Sequence, residues 1–316
     1  MIRRFAQGLA TAFLFITLAG LPQARAAIAV TDDTGARVAL PATPRRIVSL
    51  APGATEMLFA AGAGDRVVAT VLGSDEPAAA KAVPRIGDAN ALVWERLIAL
   101  KPDVVVVWKD LANRLIIDSL QKLELPVYYV SASSLDDIAR SVRGLGVLAG
   151  TQAIAEPAAA DLERRILRLA ARKAPPEPLR VFYMIWDVPL YTIGGRHIIS
   201  DAIARCGGRN LFADIDFPAP TVEFESVVKR NPEVILMSTT PITARDWRER
   251  WARFPAIRAV AAGQVLTFSD PRLDRMGPTA IDAVEGLCVQ LDAARTVLAT
   301  PPAGAPRAAP PAGSTR

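Results

Sequence analysis

Apolar positions along this chain fall into two spacings that take turns. Residues 28–31 and 36–40 are strand-forming segments on either side of Asp32-Asp33-Thr34-Gly35, so 28–41 predicts a β-hairpin. Nearly continuous apolar runs follow at 47–50, 67–72, 104–108 and 127–130, and such runs read as strands buried on both faces. Helix-spaced segments stand between and after them, at 56–61, 94–100, 113–123 and 135–149. The alternation stops at 151–173, a stretch rich in Ala, Leu, Arg and Glu that predicts one long helix, with Pro157 as a place for a kink. It resumes with strands at 181–185, 234–237 and 265–268 and helices at 198–206, 225–230, 247–254 and 280–298. Strand-then-helix order of this kind predicts an α/β protein with parallel sheets covered on both faces.

One pattern occurs twice. Glu95 opens a short helix with apolar residues after it, then come Pro102, Asp103 and an apolar strand; Glu225, Pro232, Glu233 and a second apolar strand repeat it 130 residues later. Two α/β halves of similar plan follow, with a cleft between them as the place of work. Two matched surface carboxylates also suggest a partner with two matched contact points.

The ends differ from the body. Arg3 and Arg4 precede an apolar run of 13 residues, 9–21, then Pro22 and Ala24-Arg25-Ala26, the layout of a cleaved export signal. The run is shorter than the ~20 residues of a membrane span. The expected boundaries are a leader at 1–26, a first lobe at 27–150, a linking helix at 151–174, a second lobe at 175–299 and a disordered tail at 300–316. Losing the leader lowers the formal charge from +5 to +2, too little to argue for nucleic acid. Export places Cys206 and Cys288 in an oxidising compartment, where a bridge can persist; two buried thiols are the alternative.

Catalytic patterns are missing. There is no nucleophile elbow, paired-His zinc motif or P-loop, and Gly62-Ala63-Gly64 lacks the third glycine of a dinucleotide fingerprint. His197 is the only histidine, so a multi-His metal site is excluded, and Gly194-Gly195-Arg196-His197 reads as the start of a helix. No cofactor, no resident metal and no enzymatic activity are expected.

With Arg46-Ile47-Val48-Ser49-Leu50-Ala51-Pro52-Gly53-Ala54-Thr55-Glu56, the two Glu-to-Pro repeats and Gly207-Gly208-Arg209-Asn210-Leu211-Phe212, the chain resembles the periplasmic binding proteins of cobalamin and iron-siderophore import over residues 43–298. The resemblance implies two Rossmann-like lobes joined by one long helix with little hinge closure. It implies a periplasmic monomer that captures a large metal chelate and hands it to an inner-membrane ABC permease, with Glu95 and Glu225 meeting arginines on two permease subunits. A Cys before the Gly-Gly run and another in the final helix match the cobalamin branch, which favours the Cys206–Cys288 bridge and a corrinoid ligand; ferric siderophore and haem are the alternatives. Against the cobalamin branch, two corrin-flanking Trp positions fall on Ala89 and Ala219, and an aromatic position on Gly73.

Ligand positions are expected at the carboxyl ends of strands, where open α/β sheets bind. These are Gly73 and Ser74 after the second lobe-one strand, Trp108 with Lys109 and Asp110, Trp186 with Asp187, Pro189 and Tyr191, and Pro271, Arg272, Leu273, Asp274 and Arg275 in a loop before the last helix. Trp94, Trp247 and Trp251 lie on helices and read as packing residues. An anionic siderophore would use Arg272 and Arg275, with Arg85 and Arg196 as weaker candidates.

Overall fold

The computed structural model describes residues 27–88, 91–110, 114–172, 175–238 and 244–300. The leader and the segment 301–316 lie outside them.

The apolar runs become the centres of two sheets. In the first lobe, β3 (Ile47–Ser49), β4 (Val67–Ala69), β5 (Val104–Trp108) and β6 (Val127–Val130) form a parallel sheet in the order β4-β3-β5-β6. All five residues of β5 are buried, because helices cover both faces. Those helices are α1 (Pro52–Ala60), α2 (Trp94–Ala99), α3 (Arg114–Lys122) and α4 (Leu135–Ala149). The hairpin β1 (Ile28–Thr31) and β2 (Arg37–Leu40) is fastened to this lobe through its turn, where buried Asp32 accepts from the Tyr129 amide at 3.3 Å and Asp33 from the Ser131 amide at 3.0 Å.

The long helix α5 runs Gln152–Ala170, with Pro157 inside it. It packs back along α4, and Gly146 makes that possible: a Cβ there would lie 2.2 Å from the Ala155 Cβ. α5 then reaches the second lobe, where Arg165 and Arg172 pair with Asp282 and Asp292 of the last helix.

The second lobe is built on β7 (Leu179–Asp187), β8 (Leu190–Thr192), β9 (Gly208–Asn210), β10 (Val234–Ser238) and β11 (Val265–Phe268). Its order is β11-β10-β7-β8, with β9 also on β7, and β8 is antiparallel. The helices are α6 (Ile198–Arg205), α7 (Phe224–Arg230), α8 (Ala244–Trp251), α9 (Arg258–Ala261), α10 (Pro271–Arg275) and α11 (Ala280–Ala299). β8, β9, α9 and α10 are not legible in the sequence pattern, since β8 and β9 carry no continuous apolar run and α9 and α10 are single turns too short to show a helical period. The loop expected at 271–275 is the helix α10, started by Asp270, whose side chain accepts from the Arg272 amide.

Cys206 ends α6 and Cys288 lies in α11; their sulfurs are bonded, with the Cα atoms 4.5 Å apart. Among the described residues no helix is long and apolar enough to cross a membrane.

Candidate functional site

The carboxyl ends of both sheets converge on the start of α1. Gly53 is required there: a Cβ on it would lie 2.2 Å from the Arg275 carbonyl oxygen and 3.1 Å from the Trp108 ring. Residue 275 follows β11 of the second lobe and residue 108 ends β5 of the first, so the two lobes meet at this glycine. One step further along α1, the buried carboxylate of Glu56 accepts from Arg275 Nε at 3.0 Å, from the Thr279 amide at 3.1 Å and from Thr279 Oγ1 at 2.7 Å. Burial raises the Glu56 pKa against the pull of those donors. A second lobe-to-lobe fastening lies behind: Asp201 accepts from the Leu135 amide at the start of α4, at 2.8 Å, and Arg205 pairs with Asp136.

Around this junction the expected ligand residues divide. Gly73 is exposed with φ +83°, a left-handed conformation suited to glycine. Ser74 is buried and its hydroxyl accepts from Thr70, so it serves a Thr55–Thr70–Ser74 network and does not face the cleft. Trp108 also departs from expectation: it is only 3% exposed, because its ring packs over Gly53 in the core. Lys109 and Asp110, next in the chain, are exposed; Lys109 lies over the Tyr129 ring and Asp110 accepts from Ser131.

In the second lobe Trp186 is 48% exposed, at the carboxyl end of β7, with its Nε1 donating to the Val188 carbonyl. It stands edge-on against Trp247, so Trp247 is buried packing, as its helix suggests, but it is also the wall behind Trp186. Asp187 pairs with Arg250, and Pro189 and Tyr191 are exposed. In α10, Pro271 and Asp274 are exposed, and Asp274 accepts from the Tyr183 hydroxyl at 3.0 Å. Leu273 is 1% exposed and belongs to the core, which removes it from the ligand set.

The candidate arginines are already paired. Arg272 grips Asp270 through Nε and Nη2, Arg275 holds Glu56, and Arg85 bonds Asp75 and the carbonyls of Ala80, Val83 and Ser74. Arg196 is exposed, 3.6 Å from Asp216. These arginines do not form the convergent, unpaired set that a multiply charged anion needs. His197 is buried as well. Its Nδ1 accepts from the Ile199 amide, and burial pushes its pKa down to about 4, so it is a neutral helix cap.

Three exposed apolar residues escaped the sequence reading: Leu72, Val188 and Phe217, at 62%, 66% and 59% exposure. Leu72 and Val188 adjoin the expected site positions Gly73 and Pro189, and Phe217 lies two residues before Ala219, where the family's corrin-flanking Trp is absent. A bulky apolar residue inside a Gly- or Pro-bearing loop is the signal that marks them. Ala219 is half-buried; Ala89 lies outside the described residues. A concavity of about 340 Å³ in the second lobe is walled by Phe224, Trp251 and Phe254 and shares Asp187, Trp247 and Arg250 with the surroundings of Trp186.

The repeat is reproduced down to the backbone. Glu95 and Glu225 are each the second residue of a short helix, α2 and α7, and both are exposed. Six residues on, Lys101 and Asn231 both take left-handed φ, 45° and 47°, before the proline. The acid after the proline then clasps the neighbouring strand. Asp103 accepts from the Arg45 and Arg46 amides at 2.7 and 2.9 Å; Glu233 accepts from the Arg180 amide at 2.9 Å.

Comparison with known proteins agrees with this architecture. A family model described as periplasmic binding protein matches residues 47–270. The chain is 33% identical over 263 residues to the vitamin B12-binding protein of Vibrio cholerae serotype O1, covering 83% of this chain and 94% of that relative. It is 32% identical over 254 residues to the vitamin B12-binding protein of Pectobacterium carotovorum, covering 80% and 90%. Among solved structures, the periplasmic vitamin B12 binding protein BtuF of Vibrio cholerae superposes with a TM-score of 0.70 at 32% identity, over 80% of this chain and 98% of that one. The periplasmic heme-binding protein RhuT from Roseiflexus sp. RS-1 gives 0.66 at 24% identity, over 79% and 98%, a likeness of fold alone. The chain belongs to the periplasmic binding protein family, a family of binding proteins and not of enzymes.

Proposed function

We propose that this protein captures cobalamin or a related corrinoid between its lobes in the periplasm, after removal of the 1–26 leader, and delivers it as a monomer to an inner-membrane ABC permease. The observation that carries this reading is kinship with vitamin B12-binding proteins across nearly their whole length, 94% of the Vibrio relative. The rim chemistry supports it. A corrinoid is broad, disc-like and edged with neutral amides, so it asks for apolar and aromatic faces with a few polar groups. Trp186, Val188, Tyr191 and Phe217 of the second lobe and Leu72 and Gly73 of the first offer such faces; Lys109, Asp110, Pro271, Arg272, Asp274 and Arg275 offer the polar edge. Phe217 and Leu72, each within two positions of Ala219 and Gly73, supply apolar surface near places where the family's aromatics are absent. Glu95 and Glu225 serve as the docking carboxylates for permease arginines.

The test is a titration of the mature protein with cyanocobalamin, haem and a ferric siderophore, followed by tryptophan fluorescence. Saturable, stoichiometric quenching by cyanocobalamin and by neither competitor is expected. Tight binding of the siderophore with no corrinoid response overturns the ligand assignment.

A further inference from the structure

Glu56 is the one ionisable residue between Arg46 and Asp65, and nothing in ligand capture or docking yet uses it. It is 3% exposed, on a helix whose other residues are apolar or small. A buried carboxylate on such a helix is costly unless it is paired and hydrogen-bonded. All three donors that satisfy it come from the other lobe: Arg275 Nε, the Thr279 amide and Thr279 Oγ1.

Those donors bracket one short piece of chain. α10 ends at Arg275, Met276 turns through φ 58°, and Thr279 leads into α11. The fit leaves no slack, since a Cβ at Gly277 would lie 2.5 Å from Glu56 Oε2 and one at Gly53 would lie 2.2 Å from the Arg275 carbonyl oxygen. The opposite flank of α10 is tied to its own sheet, through Tyr183 and Asp274. α10 is therefore held between β7 of one lobe and α1 of the other, with Pro271 and Asp274 exposed at the rim.

We infer that Glu56 is a positioning residue: it seats the 271–279 segment of the second lobe on α1 of the first, and so sets the geometry of the ligand rim without touching the ligand. The affinity half of this inference rests on the corrinoid reading above; the seating half does not. A buried ion pair of this kind adds little net stability over an apolar pair, but removing one partner strands the other. Its value is that it specifies one lobe-to-lobe arrangement.

The experiment uses the mature full chain as Glu56→Gln, Glu56→Ala and Thr279→Val, with Glu285→Gln, an exposed residue of α11, as a surface control in the second lobe. Amide hydrogen exchange is measured without ligand, then cyanocobalamin affinity. Glu56→Gln keeps an acceptor for Thr279 but loses the charge facing Arg275. Exchange at 271–279 should quicken at least about tenfold in Glu56→Gln, with the strands β3, β5, β7 and β10 unchanged, as expected for loss of a charge-assisted bond. Affinity should fall about tenfold in the same variant, and about threefold in Thr279→Val, which loses one neutral bond. If Glu56→Ala does not fold, the Gln and Val variants carry the test. Exchange within twofold of wild type in folded Glu56→Gln overturns the seating. Quickened exchange with unchanged affinity overturns the positioning role. A wild type that binds no corrinoid overturns the ligand assignment and leaves the exchange result to decide the seating.

Discussion

The two lobes carry the same short pattern, yet its two acids have opposite fates in both. Asp103 and Glu233, after the proline, are consumed at home: each accepts a backbone amide at the start of the adjacent central strand, near β3 and in β7. Glu95 and Glu225, at the helix starts, are exposed and have no side-chain partner among the described residues. Helix-start chemistry explains a favourable acid at either place, worth about 0.3–1 kcal/mol. It does not explain why both lobes keep one. The acids that fasten the fold can be separated, by contact, from the acids left exposed.

The lobes differ in how they are held together. The first has a fully parallel sheet, one face of it packed by aliphatic residues such as Val48, Val105, Leu97 and Leu120. The second has a mixed sheet, an aromatic cluster of Phe182, Phe212, Trp247 and Trp251, and the Cys206–Cys288 bridge. Its short strands β8 and β9 each add three residues to the sheet, and the bridge ties α6 to α11, which pack directly on each other.

The largest expected effect separates the two kinds of acid. Glu95→Ala with Glu225→Ala should leave corrinoid affinity within about twofold, yet abolish most uptake or transporter ATPase stimulation, since a charge-assisted pair is lost at each docking point. Wild-type docking should weaken as salt rises. Normal uptake by the double variant reduces both residues to helix-start acids. Next comes the bridge. Cys206→Ser with Cys288→Ser should cost about 3–4 kcal/mol, below the chain-entropy ceiling of about 4.5 for a closed loop of this length. Hydrogen exchange should rise in β7 and β10 more than in β3 and β5; equal rises in both lobes would show that the bridge stabilises the two lobes alike.

Acid should also tell the lobes apart. His197 is held neutral in the second lobe, with its pKa pushed down to about 4. Its contribution is complete above pH 6.5 and is lost as pH falls toward 4, a change on the order of 3 kcal/mol. Burial raises the pKa of Asp33 and Glu56, the second of which joins the lobes from the first, so their contribution moves the other way and grows as pH falls. Between pH 6.5 and 4 the second lobe should therefore loosen first, and His197→Asn, which retains a capping side chain, should flatten that loss. Unfolding followed by lobe-resolved hydrogen exchange reads the order.

Removing a strand clasp should cost somewhat less. Asp103→Ala and Glu233→Ala should each lower stability by about 1.5–3 kcal/mol, the range for bonds to a charged group, with no selective effect on docking. A docking defect in a stable Asp103→Ala protein would break the division between the two acids. The smallest effect falls on the rim. Trp186→Ala should weaken corrinoid binding by about 1 kcal/mol, roughly fivefold, through lost aromatic surface. Leu115→Ala, exposed on α3, is the control; Trp247 is unsuitable because it backs Trp186.

The sequence by itself determined the strand–helix order, the two-lobe plan, the long α5 and the paired glutamates. Each rests on a local period or on a repeat that survives without knowledge of neighbours. Runs such as Val104–Trp108 have no polar face to expose, so burial in a sheet covered on both sides is their remaining option. Direction was beyond it. Trp108 ends its strand where ligands bind, but packing against Gly53 turned its ring into the core, and the Thr55–Thr70 hydroxyl network drew Ser74 inward in the same way. Leu273 shares a five-residue helix with exposed Pro271 and Asp274, and only the helix's seating on the core decides which of them faces out. Glu56 is the sharpest instance. A lone carboxylate in an apolar helix is visible in the sequence, but its donors lie 219 and 223 residues away. Pairings over such separations are made by packing two finished lobes together, and no local pattern encodes them.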